Sequence, residues 1–238
     1  GNLTPWKFGI PASSSHSLIG GVVGAGLAAF GTGAIAWSYF WGRVGLMIFL
    51  TPAVSFCLGF LILKLLLRLT RHAGVGVNKF FTYAQWVNMT FLAFNHSFND
   101  SQKSIGIILI LIGIYGGDVS GIPLWSILCA AACLACGIAF GGFKIIKTVG
   151  TGIYKVQPIH SFASQLTAGS VILASSLLGA PVSASQIVSS SIMGVGAAEH
   201  YKSVHWLVAK RILLSWFITI PIAGALGALL YLLFSLIF

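Results

Sequence analysis

The chain has 238 residues, 57% of them hydrophobic and only 7% charged, and its mean hydropathy of +0.97 lies outside the range of soluble domains of this length. Its net charge of +10 sits on basic residues in short connections between apolar runs, which form no binding surface of their own. Nucleic acid is thereby excluded as a partner, and membrane lipid is the expected surrounding. Strand-like alternation is absent, so a β-barrel is excluded as well and the expected fold is an all-α membrane protein, a polytopic helical bundle.

In chain order, apolar runs cover 17–40, 44–63, 105–115, 122–140, 165–178 and 212–238. Lys64, Arg68, Arg71 and Lys79 form one basic cluster, Lys144, Lys147 and Lys155 a second, and Lys202, Lys210 and Arg211 a third. Cytoplasmic loops are enriched in Lys and Arg, which places all three clusters inside. The connections at 41–43 and 116–121 carry only Arg43 and Asp118 and read as external. Joining these loops gives about seven crossings, with residue 1 inside and the C-terminus outside. Within "CAAACLAC", Cys129, Cys133 and Cys136 share one helix face and are expected to pack between helices, because no fourth ligand accompanies them for a metal.

Residues 9–26, "GIPASSSHSLIGGVVGAG", align without a gap on 179–196, "GAPVSASQIVSSSIMGVG", at an offset of 170. Gly9, Pro11, Ser13, Ser15, Gly24 and Gly26 match Gly179, Pro181, Ser183, Ser185, Gly194 and Gly196, and Pro52 and Pro221 follow at nearly the same offset. The first copy leads into an external connection and the second into a cytoplasmic one, so the repeats are expected to be inverted, with the substrate site at their interface and discontinuous helices around it. The chain then divides into 1–78, the end of a first repeat, and 79–238, a second repeat. The unit 94–178 has no copy after residue 1, and inverted repeats come in pairs, so the chain is expected to be a fragment lacking roughly 80 or more N-terminal residues.

Two constellations could carry chemistry. "FNHSFNDSQKSIG", residues 94–106, places Asn95, Asn99, Asp100, Gln102, Lys103 and Ser104 between apolar runs in a chain with three acidic residues in all. Ionisable groups within membrane segments are costly and mark substrate or ion paths, although a polar interfacial loop would read the same way. In the two Pro-x-Ser stretches, Ser13, Ser14 and Ser15 and then Ser183, Ser185 and Gln186 fall at the starts of helices, where backbone N–H groups and hydroxyls can hold an anion; simple N-capping is the alternative. His96 and Asp100 could share a helix face, yet no nucleophile elbow surrounds the serines, so an intramembrane hydrolase is a remote alternative and no enzyme is expected. His16, His72 and His160 lack the spacing of metal ligands and read as hydrogen-bonded or interfacial residues.

"HSFNDSQKSIGI" resembles the Asn-Asp signature of bacterial inorganic phosphate transporters, the PiT family, and "GAPVSASQIVSSSIMGVGAAEH" and "GTGIYKVQPIHSFASQ" are similar to other segments of that family. Phe98 and Ser97 depart from its usual residues. The resemblance implies secondary active uptake of inorganic phosphate across the bacterial inner membrane, coupled to H⁺, to a metal phosphate with H⁺, or to Na⁺. It also implies no bound cofactor, and assembly into a homo-oligomer is left open. Asn99, Gln102, Lys103, Ser104 and the serines of both stretches, with Gln186, would then bind phosphate, while Asp100 and Asn95 would serve the coupling cation. An ammonium beside Asp100 competes with Na⁺, so H⁺ or metal-phosphate coupling is expected ahead of Na⁺. Another oxyanion, such as sulfate, is the alternative substrate.

Overall fold

A computed structural model describes residues 12–74, 76–117, 121–141 and 147–237. Gly9, Pro11, Asp118 and Lys144, which entered the repeat and charge readings, lie outside them. The described residues are helical, with no strand among them. Helix α1 covers Ser14–Phe30, and α2 covers Trp37–Leu69, running through a π-helical turn at Phe40–Gly45. Helix α3 covers Gly76–Ile114, α4 Leu124–Gly141, α5 Pro158–Leu177, α6 Ala184–His200 and α7 Trp206–Ser235.

Helix α3 joins what the sequence presents as separate pieces. The apolar run 105–115 and the stretch 94–106 are one continuous helix of 39 residues, about 58 Å long. Its continuity follows from where the polar side chains go. Asn88, Asn95 and Asn99 recur at helical spacing and are all buried on one face, so the helix needs no break to keep them from lipid.

Close approach is achieved by omitting side chains. A Cβ on Gly24 would lie 1.9 Å from the Gly224 carbonyl oxygen, and one on Gly20 2.5 Å from that of Ile220, so α1 and α7 touch backbone to backbone. On the other side, a Cβ on Gly194 would lie 2.1 Å from the Phe56 oxygen and one on Gly59 2.7 Å from the Ser191 oxygen, which joins α6 to α2 in the same manner. Small residues at such contacts let dispersion replace the hydrophobic effect that lipid cannot supply. Each of the two matched helices therefore pairs with the helix that follows the other.

Helix α6 is the hub. Ala184 and Ile187 join a core with Ile172 and Val182, Ile192 and Met193 one with Ile212 and Trp216, and Val195 and Ala198 one with Leu63 and Phe81. Outward surfaces of α2 and α7 are lined instead by exposed leucines and phenylalanines, and both helices are long and apolar enough to cross a membrane. The cysteine reading needs correction: Cys129, Cys133 and Cys136 are all exposed, so they are not buried between helices of the described chain. Composition misled here because a lipid-facing and a helix-facing surface accept the same small apolar residues.

Candidate functional site

Both serine stretches form helix starts of the same construction. Ser13 is the N-cap of α1, its hydroxyl accepting from the His16 N–H at 3.1 Å, and Ser183 is the N-cap of α6, accepting from the Gln186 N–H at 3.4 Å. Pro181 lies two residues before its cap and sets the extended approach to the helix rather than its first turn. The two starts are tied to each other. Ser15 Oγ donates to the Val182 carbonyl at 3.0 Å, and Ser185 Oγ donates to the Ala12 carbonyl at 3.1 Å. Each bond is the counterpart of the other under the 170-residue offset.

The approach to α6 depends on how α5 ends. Gly179, at φ 62, turns the chain out of the helix, and the Ala180 N–H closes back on the Ser175 carbonyl at 2.9 Å. Only glycine takes that backbone region without strain. The turn leaves Ser176 facing α3, where its hydroxyl accepts from Asn99 Nδ2 at 3.0 Å.

One turn of α3 then supplies the charge. Lys103 Nζ donates to Asn99 Oδ1 at 2.6 Å, to Asp100 Oδ1 at 2.9 Å and to the Val182 carbonyl at 3.0 Å. His96 Nε2 lies 3.3 Å from the other carboxylate oxygen of Asp100. The ammonium thus joins the Asp100 carboxylate to the Val182 carbonyl at the start of α6, the carbonyl that also accepts from Ser15. Asn95, buried to 1% exposure, donates to the Phe91 carbonyl within its own helix and leaves Oδ1 without a partner among the described residues.

The structure therefore brings together Asn99, Asp100, Lys103, Ser15, Ser183 and Ser185, with Ser13 capping next to them. Gln186 is buried in the first turn of α6. It does not bring Gln102, Ser104 or Ser14 to the cluster, since all three are exposed; Ser104 Oγ only back-bonds to the Asp100 carbonyl at 3.3 Å. Sequence reasoning missed Ser176 and the carbonyls of Val182 and Ala12. It also missed Asn88, which donates to the Phe162 carbonyl at 3.1 Å and was legible from its spacing with Asn95 and Asn99.

A second polar cluster lies at the far end of α6. Tyr154 donates its hydroxyl proton to Glu199 Oε2, and His160 Nε2 lies 3.0 Å from the same oxygen. The Gln157 N–H donates to His160 Nδ1 at 3.0 Å, which makes that nitrogen an acceptor and assigns the ring proton to Nε2, the nitrogen nearer Glu199. His16, in turn, is buried with Nδ1 3.3 Å from the Trp216 carbonyl, whereas His72 is exposed.

The sequence matches the model of the "Phosphate transporter family" over residues 1–74 and 70–227. A Bacillus subtilis protein described as "Probable low-affinity inorganic phosphate transporter" is 37% identical over 100% of this chain and 72% of its own length. A Rhizobium meliloti protein of the same description is 36% identical over 97% of this chain and 70% of its own. Its Mycobacterium leprae counterpart is 34% identical, and there the chain spans only 56% of the relative. Among solved structures, one titled "The sodium-dependent phosphate transporter" superimposes with a TM-score of 0.84 over 99% of this chain and 76% of that one, at 21% identity, a likeness of fold.

Proposed function

The chain belongs to the phosphate transporter family, and on that premise we propose that it carries inorganic phosphate across the bacterial inner membrane by secondary active transport, driven by a coupling cation. One observation carries the reading: two serine-capped helix starts are latched to each other, and the Asp100–Lys103 pair lies against one of them. First-turn amides have no carbonyl partner within their own helix, and the helix dipole favours negative charge at that end. Two such ends side by side suit a tetrahedral anion, with the Lys103 charge adding to their field.

The reciprocal bonds between Ser15 and Val182 and between Ser185 and Ala12 support a two-fold relation between the halves 1–78 and 79–238. We read the halves as inverted repeats. The break before α6 acts as one of the discontinuous segments that line a midplane site in secondary transporters. Alternating access then consists of one half rocking against the other around the caps.

Asp100 supplies the coupling. Its carboxylate repels phosphate until a cation neutralises it, so cation and phosphate each raise the affinity for the other. We assign Asn95 the same role, because its buried Oδ1 lacks a partner among the described residues. Labelled phosphate uptake by cells lacking every other phosphate system tests the proposal. Concentrative uptake is expected; sulfate uptake with indifference to phosphate would replace the substrate.

A further inference from the structure

The Lys103 ammonium is enclosed by the kind of oxygens that bind a hard cation. A carboxylate oxygen, an amide oxygen and a backbone carbonyl from the extended segment before α6 lie at 2.9, 2.6 and 3.0 Å from Nζ. Carboxylates, amide and unwound main-chain carbonyls are the donors with which proteins hold alkali and alkaline-earth ions. An ammonium has three N–H donors, and all three are spent here on protein oxygens.

The surrounding bonds leave little room for a second cation. The Val182 carbonyl accepts from both Lys103 and Ser15, which uses its two lone pairs. The Asn99 amide is fixed by its bond to Ser176, so its oxygen cannot turn away from the lysine. His96 covers the remaining oxygen of Asp100. Lys103 is only 20% exposed, so its charge is not dissipated into solvent.

We propose that Lys103 is a tethered substitute for a coupling sodium ion: its ammonium occupies the cation position between Asp100 of α3 and Val182 before α6, so that this transporter works without Na⁺. The inference rests on the transport reading above and specifies its ion selectivity. Lys103 is then a specificity-determining residue that bridges the two elements which a bound cation would otherwise bridge. The coupling cation that neutralises Asp100 is then a proton.

The test compares the purified wild-type protein with Lys103→Gln and Lys103→Ala, reading binding of radiolabelled sodium and, separately, phosphate uptake with sodium or choline outside. Wild-type protein is expected to bind no sodium saturably and to take up phosphate equally in both media. Lys103→Gln should acquire saturable sodium binding, with uptake at least about tenfold higher in sodium than in choline. Saturable sodium binding by the wild type overturns the proposal, and this arm stands even if a variant fails to fold. So does loss of uptake in both media without any gain of sodium binding, which would make Lys103 a phosphate anchor. Sodium binding is read without phosphate, so failure of uptake alone sinks the substrate reading and leaves this one standing.

Discussion

The two serine caps share a scaffold but not a charge environment. Ser13 and Ser183 cap in the same way, Ser15 and Ser185 exchange bonds across the pair, and Gly24 and Gly194 each press against a neighbouring backbone. Around them the likeness ends. The α6 cap is approached by Lys103 and, through it, by Asp100, whereas the α1 cap has His16 turned to the Trp216 carbonyl. The cap geometry is repeated, and the charged pair is attached to one copy among the described residues.

The largest effect expected from breaking this asymmetry comes from Asp100→Asn. It removes the carboxylate charge that reaches the α6 cap through Lys103 while leaving the ammonium and both caps intact. In the whole transporter, concentrative phosphate uptake should vanish and phosphate exchange should persist, as counterflow in proteoliposomes would reveal. Normal accumulation by the variant would mean that the asymmetry is not the coupling device.

Next in size is the shared scaffold. Gly24→Ala and Gly194→Ala each place a Cβ within 2.1 Å of a backbone oxygen, so the two should destabilise alike, by on the order of 1–3 kcal/mol or more. Gly33→Ala, with open space around it, is the neutral control. Thermal unfolding in detergent reads all three, and a large difference between the first two would break the equivalence of the copies.

A smaller effect separates the caps themselves. Ser13→Ala and Ser183→Ala each lose an N-cap, about 1 kcal/mol. Ser183 also lies 3.0 Å from Ser185 Oγ, so its loss should raise the KM for phosphate more than loss of Ser13 does. Equal KM changes would leave the two caps functionally alike.

Much of this scaffold was readable because both copies obey the same local constraints. An aligned Ser at 13 and 183 and an aligned Gly at 24 and 194 record the need for a cap and for a bare backbone twice over. What escaped was contact across distance. The oxygens of Val182 and Ala12 belong to the main chain, where any residue would serve, and nothing in the sequence marks them. Glu199 meets Tyr154 from 45 residues away and has no copy in the first repeat to draw attention to it. The helical continuity of α3 was hidden because a polar stretch reads as a boundary unless its buried face, Asn88, Asn95 and Asn99, is traced at helical period. Gln102 and Ser104 were joined to the site by nearness in sequence, yet the helix turns both to its exposed side.

The central claim is that the two helix starts form one anion site. A double-mutant cycle on Ser15→Ala and Ser185→Ala, read as the dissociation constant of phosphate for the purified transporter, tests it most directly. The reciprocal bonds to Val182 and Ala12 require the two changes to interact, with a coupling energy of about 0.5–3 kcal/mol. Effects that add within about 0.3–0.5 kcal/mol would mean that the caps act independently, and would contradict a single shared site.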